Sequence, residues 1–251
     1  MSRILYKYLD IKGGMSMIGL GDKCDHPTLQ FTNATQLNDP FDCHPNLVDY
    51  SEALKKRDKN FAYSLRKRTW LCSLSKVNDS LLMWSHYCAN HKGICIGLDM
   101  QKMLANMPMR LGSLYNRPLE LEVQYRDIIE RPKSNDPLFN PWYYQLLTKA
   151  KVWEYEEEVR LIMENPHPLL AMITPEIAKQ IDSISDWREV RHYIPIKGEY
   201  IESIYLGVNT SKVKTEQIVN YVRAQLNPDI KLYQMSIDEN AFRLKAELIT
   251  D

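Results

Sequence analysis

Apolar and polar residues alternate over many short segments of this chain, with two distinct spacings. Alternation at every second position predicts strands, because successive side chains of a strand point to opposite faces. Apolar residues at helical spacing, entered through Asn, Asp or Ser caps, predict helices. The predicted strands cover residues 4–8, 29–31, 70–75, 93–100, 121–125, 156–163, 200–207 and 230–237. The predicted helices cover residues 51–68, 80–91, 142–152 and 211–226.

The order of these segments favours an α+β fold with a mainly antiparallel sheet, because strands and helices mix without a strict βαβ rhythm. Residues 35–46 form a turn-rich loop punctuated by Asn, Asp and Pro. The 251 residues suit one large domain or two small ones, and there is no internal repeat.

The charge balance limits the kinds of partner. Lys plus Arg and Asp plus Glu number 32 each, so any nucleic-acid or membrane role needs a local patch. The strongest basic segment is residues 55–68, where Phe61 and Tyr63 are interleaved with cations. It is either a solvated helix face or a contact with a phosphate backbone. The candidate nucleic-acid contacts are Lys55, Lys56, Arg66, Lys67 and Arg68.

Cysteine usage and hydropathy indicate the compartment. The five cysteines are odd in number and lack CxxC spacing. The first residues have no apolar signal-peptide core, and no apolar run approaches the length of a membrane span. These features predict a reduced, cytoplasmic protein without a membrane partner.

The segment WEYEEEVRLI, residues 153–162, places charges directly against an apolar run. In a strand over residues 156–163, Glu156, Glu158 and Arg160 share one face. One interpretation is a half-solvated strand with paired surface charges. The other is a cleft wall, where a carboxylate holds a ribose hydroxyl and stabilises positive charge at an anomeric carbon.

Other common sites find less support in the sequence. His86, Cys88 and His91 invite a metal, but the histidines are five residues apart and no matching pair follows, so we predict no metal. A cysteine nucleophile needs a base that the sequence does not single out. Motifs of P-loop, dinucleotide-binding and hydrolase-elbow proteins do not occur.

Four segments occur in the same order in a large bacterial family catalogued as a domain of unknown function, which this chain resembles. They are LYKY, LNDPFD, LLMWSHYCANHKGICIGL and WEYEEEVRLI. The resemblance covers nearly the whole chain but implies no activity.

A second resemblance does imply an activity. The layout is similar to that of DarT-like nucleic-acid ADP-ribosyltransferases. This resemblance implies a single ADP-ribosyltransferase-like domain over residues 1–251, with two small, mainly antiparallel sheets flanking a cleft and helices around them. It also implies NAD as substrate. In that scheme Glu158 is the catalytic carboxylate, and Glu156 or Arg160 positions the acceptor. The implied cofactor-binding residues are Tyr6, Lys7, Asn38, Asp39, Ser73, Ser75, Trp84, His86, Tyr87 and Lys149.

The resemblance implies a mono-ADP-ribosyltransferase that modifies RNA or DNA, as a bacterial toxin or phage-defence effector with an antitoxin or inhibitor partner. Lys7 departs from the usual His or Arg of the first motif. Two alternatives stay open: a non-enzymatic nucleotide-sensing or protein-binding module with a degenerate cleft, and an NAD glycohydrolase. Burial of Glu158 in a salt bridge with Arg160 would count against the transferase mechanism.

Overall fold

The computed structural model describes residues 3–21, 25–50, 60–106, 118–131, 140–164 and 191–250. The strands are β1 (Ile4–Leu9), β2 (Thr28–Asn33), β3 (Thr69–Ser75), β4 (Ile94–Asp99), β5 (Leu119–Glu122), β6 (Gln124–Arg126), β7 (Thr148–Ala150), β8 (Glu158–Glu164), β9 (Arg191–Pro195), β10 (Ile201–Leu206), β11 (Lys231–Ile237) and β12 (Leu244–Leu248). The helices are α1 (Ile11–Met17), α2 (Phe61–Lys67), α3 (Leu81–Tyr87), α4 (Met100–Asn106), α5 (Pro141–Leu147) and α6 (Lys212–Tyr221).

The predicted α+β class is confirmed, but the sheets differ from the expected pair. Within the described residues, ten strands form one mixed sheet with the path β12-β11-β10-β4-β1-β3-β2-β9, and β8 and β5 branch from β3. A second sheet contains only β6 and β7. Neighbours in the large sheet are antiparallel except β10 and β11, which are parallel. The expectation of two small sheets is therefore replaced by one large, branched sheet.

Strand β3 is the branch point. On one side it pairs with β8 along its whole length, from Thr69 opposite Glu164 to Ser75 opposite Glu158. Its other side is shared: β1 pairs at Ser75, whereas β2 pairs at the opposite end of β3. The strands β1 and β2 therefore diverge and leave a fork beside Ser73.

Both faces of the sheet centre are covered. Helices α1 and α6 pack on one face, where Ile96 and Ile204 are fully buried. Helix α3 packs on the other face, through Trp84 against Tyr8 and Cys95. Full burial of each large apolar side chain contributes about 1.5–3 kcal/mol.

Each strand predicted from the sequence has a counterpart, but several boundaries were wrong. Helix α3 begins after Ser80, whose side chain caps it by accepting a hydrogen bond from the Met83 amide. It ends at Tyr87, because residues 89–91 adopt positive φ values of 48–64°. The predicted helix over 142–152 ends at Leu147 and is followed by β7.

The other two predicted helices differ as well. The helix over 211–226 gives way after Tyr221 to a π-helical turn at Val222–Leu226. Of the helix predicted over 51–68, residues 51–59 lie outside the described residues, and α2 accounts for most of the rest.

Candidate functional site

A cavity of about 300 Å³ lies in the fork between β1 and β2. Its walls come from β1, β3, helix α3 and the loop after β2, and its floor comes from β7, β8 and the 3₁₀ turn Lys151–Glu156. The lining residues are Tyr6, Lys7, Tyr8, Thr32, Gln36, Leu37, Asn38, Asp42, Leu71, Ser73, Leu74, Ser75, Met83, Tyr87, Lys149, Glu156, Glu158 and Arg191.

Arg160 lies beneath the floor and has no exposed surface. Its guanidinium donates hydrogen bonds to both oxygens of Asp42, at 2.8 and 2.7 Å, and to both oxygens of Glu158, at 2.8 and 3.1 Å. A further N–H donates to the Leu146 carbonyl at 2.6 Å. This planar, bidentate pairing is the arrangement in which buried arginine holds carboxylates most firmly.

Lys149 is the second buried cation of the floor. Its Nζ donates to Glu156 and, at 3.0 Å, to Glu158, and it lies 3.9 Å from Asp42. The side chains of all four residues are at most 5% exposed. Together with Arg160, the floor contains two cations and the three carboxylates of Asp42, Glu156 and Glu158. The cluster therefore has an excess of one formal negative charge.

The two glutamates of the floor respond differently to burial. Burial alone would raise the pKa of Glu158, but attraction by Arg160 and then Lys149 holds it far below its usual value. Burial raises the pKa of Glu156 above its usual value, against the attraction of Lys149. Glu158 is consequently fixed as an anion, whereas Glu156 holds a proton more readily.

A left-handed residue brings the two carboxylates together. Glu156 ends the 3₁₀ turn, and Glu157 adopts φ 43° and ψ 51° before β8 begins. The side chain of Glu157 is exposed, whereas Glu156 and Glu158 point into the same cluster. The amide of Glu158 donates to the Tyr125 hydroxyl at 2.8 Å, which fixes the start of the strand.

Helix α3 presents Tyr87 to the cavity. Trp84 anchors the helix, because its ring is fully buried against Tyr8 and its Nε1 donates to the Asn78 carbonyl at 2.8 Å. Tyr87, almost one turn later, donates its hydroxyl to Glu156 at 2.5 Å. Burial and then this hydrogen bond raise the pKa of Tyr87, so the hydroxyl stays protonated at neutral pH.

The β1 wall supplies a lysine at the fork. Lys7 donates to the Ser73 carbonyl at 2.8 Å, at the position where β3 has no strand partner on that side. The Ser73 side chain helps to lower the pKa of Glu158, after the larger effects of Arg160 and Lys149. Ser75 is buried and its hydroxyl accepts from the Val77 amide at 3.2 Å.

Nine of the predicted site residues line the cavity. They are Tyr6, Lys7, Asn38, Ser73, Ser75, Tyr87, Lys149, Glu156 and Glu158. The cavity lining does not include Arg160, Trp84, Asp39 or His86. Asp39 is buried and caps the turn through the Phe41 amide, and His86 lies 2.9 Å from the Tyr155 hydroxyl.

The predicted nucleic-acid segment is only partly described, since Lys55 and Lys56 lie outside the described residues. Arg66 donates to the Ala34 carbonyl at 3.1 Å, and the buried Arg68 donates to the Ser64 carbonyl at 3.1 Å. Lys67 is exposed. Two of the three described cations therefore bond to backbone carbonyls of the protein itself.

Sequence reasoning missed three residues of the site: Asp42, Tyr125 and Arg191. Asp42 is 118 positions from its partner Arg160, so no local spacing could reveal the pair. It does lie in the turn-rich loop over residues 35–46 that the sequence predicts. Arg191 begins β9 and carries an exposed cation on the cavity wall, without a sequence motif around it.

Comparison with known proteins finds a family similarity over part of the chain. A family model described as "Protein of unknown function (DUF2971)" matches residues 83–161, which include Tyr87, Lys149, Glu156 and Glu158. The predicted resemblance to a family of unknown function is thereby confirmed over these residues. No curated protein and no solved structure matches the chain.

The described residues contain no group of three or more His, Cys, Asp or Glu side chains arranged to hold a metal ion. None of their helices has the length and apolar character that crossing a bilayer requires.

Proposed function

We propose that the protein is an NAD-dependent mono-ADP-ribosyltransferase, with an ADP-ribosyltransferase-like arrangement of strands around the cavity. One observation carries this proposal: the cavity has a negative floor and positive walls. The floor holds the excess negative charge of the Asp42, Glu156 and Glu158 cluster, whereas Lys7 and Arg191 lie on the walls. NAD has the matching polarity, with a cationic nicotinamide ring and an anionic diphosphate.

The size and lining of the cavity support the same substrate. A volume of about 300 Å³ is at the lower end of the range for ligand cavities. It is enough for the nicotinamide ribose, and the rest of NAD would extend out through the opening of the cavity. Tyr6 and Tyr87 offer aromatic rings to the nicotinamide. Lys7 and Arg191 are the cations placed to meet the diphosphate, because Lys149 and Arg160 are already occupied by carboxylates.

The reaction breaks the bond between the ribose C1′ and the nicotinamide nitrogen. The electron pair of that bond leaves with nicotinamide, and positive charge develops on the ribose. The ionised Glu158 stabilises this charge and accepts a hydrogen bond from the ribose. A nucleophilic group of the molecule to be modified then bonds to C1′ and loses its proton. Glu156, whose pKa is raised, takes up this proton as the general base.

One observation favours a second candidate, a non-catalytic nucleotide-binding module. Both oxygens of Glu158 are engaged by Arg160 and Lys149, and this pairing counts against a carboxylate free to act on a ribose. Such a module binds NAD or a related nucleotide without turnover. An NAD glycohydrolase, the remaining alternative, would release free ADP-ribose with no macromolecule present.

The deciding experiment incubates the purified protein with labelled NAD and separate pools of RNA, DNA and cell protein. Glu158→Gln removes the charge of the floor carboxylate, and Glu157→Gln is the matched control, since that side chain is exposed. Tyr87→Phe provides a second test that leaves the ion cluster intact. Circular dichroism of each variant checks that it is folded.

We expect label in one pool, lost with Glu158→Gln and kept with Glu157→Gln. Label in RNA or DNA would support the nucleic-acid acceptor and, with it, a toxin or defence role. Binding of NAD by the folded wild type without transfer or nicotinamide release would favour the binding module. Transfer that persists at the wild-type rate in Glu158→Gln would refute the assigned role of the carboxylate.

The basic segment has its own test. Neutralising Lys55, Lys56, Arg66, Lys67 and Arg68 together should weaken modification of nucleic acid. Because Arg66 and Arg68 also hold the backbone, Lys67→Gln alone serves as the variant that leaves those contacts in place. Equal activity with and without the charges would refute a nucleic-acid role for this segment.

A further inference from the structure

Strand β12 ends the path of the large sheet, and no other strand of the described residues pairs with its outer edge. Lys245, Ala246, Glu247 and Leu248 are exposed along it. An unprotected edge strand presents a row of backbone donors and acceptors to which another strand can be added.

The pairing of β12 with β11 shows which backbone groups face outward. The Ile249 amide donates to the Leu232 carbonyl at 2.8 Å, and the Asp238 amide donates to the Arg243 carbonyl at 3.1 Å. Residues alternate in an antiparallel pair, so positions 245 and 247 also bond to β11. The backbone groups of Leu244, Ala246 and Leu248 consequently point to the free edge.

The sequence of this edge is Leu-Lys-Ala-Glu-Leu. When two copies of it run antiparallel, leucine faces leucine and lysine faces glutamate. If two copies pair antiparallel about Ala246, Leu244 lies opposite Leu248 of the partner subunit. Lys245 then lies opposite Glu247 of the partner subunit in a non-hydrogen-bonded pair, where side chains approach most closely. We propose that β12 joins two copies of this chain into a two-fold symmetric dimer with a continuous sheet.

Exposed apolar side chains around the edge support the same occupant. Leu248 is 56% exposed and Ile237 is 67% exposed, and both lie on the sheet face of Leu244. Pairing in this register places Leu248 against Leu244 of the partner subunit and removes apolar surface from water. A two-fold interface also repeats each favourable contact, so both Lys–Glu pairs form together.

The test reverses one charge at a time in the full chain and measures mass by sedimentation equilibrium. Lys245→Glu and Glu247→Lys each place like charges opposite each other in the dimer. Each should weaken dimerisation about tenfold or more. An equimolar mixture of the two variants should regain association, because opposite charges again face each other, and the double exchange Lys245→Glu with Glu247→Lys should restore the wild-type dimer.

A control separates the interface from local effects. Lys245 also lies 3.2 Å from Glu247 within the strand, and Lys197 lies 3.3 Å from Glu199 in another exposed pair, away from the edge. Lys197→Glu should therefore leave the dimer unchanged. A wild type that stays monomeric, a dimer unaffected by the single reversals, or single variants that fail to associate when mixed would each overturn the proposal.

Discussion

Replacement of Arg160 by Met tests the ion cluster beneath the cavity. Methionine retains much of the length of the side chain but removes every hydrogen-bond donor. The change leaves Asp42 and Glu158 buried with Lys149 as their remaining buried cation. The formal excess of the floor rises from one negative charge to two.

The expected loss of stability is large because the guanidinium has no exposed surface and its partners are at most 3% exposed. Removal of one partner from a buried ion pair costs about 3–5 kcal/mol. For a protein of this size the melting temperature should fall by roughly 6–20 °C.

The stability lost in Arg160→Met should depend on pH in a characteristic way. The pKa of Glu158 is lowered in the folded state, so its contribution to stability is present above the unfolded pKa of about 4.3 and is lost as pH falls through the folded value. Without Arg160, burial favours the protonated acid. The stability difference between wild type and variant should therefore shrink as pH falls from 7 to 5.

Urea unfolding followed by tryptophan fluorescence measures both quantities, since Trp70 and Trp84 are buried. Lys231→Met is the control, because its own side chain is 57% exposed and that of its partner Glu202 is 27% exposed, so the loss of this pair should change stability much less. A loss for Arg160→Met no greater than that of the control, or one that grows at low pH, would refute the reasoning.

Three further predictions concern local contacts. Tyr87→Phe removes the donor to Glu156 and should lower the free energy of unfolding by about 1–3 kcal/mol in urea titrations at pH 7. Gly93→Ala should lower the melting temperature in calorimetry, because a Cβ there would lie 2.1 Å from the Leu9 carbonyl oxygen and overpacking costs about 1–3 kcal/mol. Ser80→Ala should cost about 1 kcal/mol of stability, measured by thermal unfolding, through loss of the α3 cap.

Each of these has a matched comparison. Tyr143→Phe changes an exposed tyrosine and should leave stability unchanged. Gly13→Ala introduces a methyl group whose nearest neighbour is a side-chain oxygen at 3.3 Å, so its effect should be much smaller than that of Gly93→Ala. Ser80→Gly should lose only a few tenths of a kcal/mol, since glycine is itself tolerated as a cap. Equal effects within any pair would contradict the assigned contact.

The local patterns of the sequence predicted the strands well because alternation depends on neighbouring residues. The same patterns could not reveal where elements stop. Helix α3 ends where residues 89–91 adopt positive φ, and none of these is a glycine that would have marked the turn. The prediction that Glu156 begins β8 was wrong for a related reason, since the left-handed Glu157 separates it from the strand.

The candidate site shows the same limit at longer range. Alternation placed Glu158 and Arg160 on one face, and the structure brings them into direct contact. The half-solvated interpretation of this strand was wrong, because both residues are buried and so are Val159 and Leu161. Only the three-dimensional fold shows that Asp42 supplies the other half of the arginine pairing.

The fork beside Ser73 has a consequence for how the protein can evolve. The cavity exists because β1 and β2 leave the same edge of β3 at different points, and Lys7 fills the unpaired position with a side chain. The opening thus results from the way the strands pair, rather than from the side chains that line it. Substitutions along its walls can exchange one ligand for another while the scaffold that makes the opening stays the same.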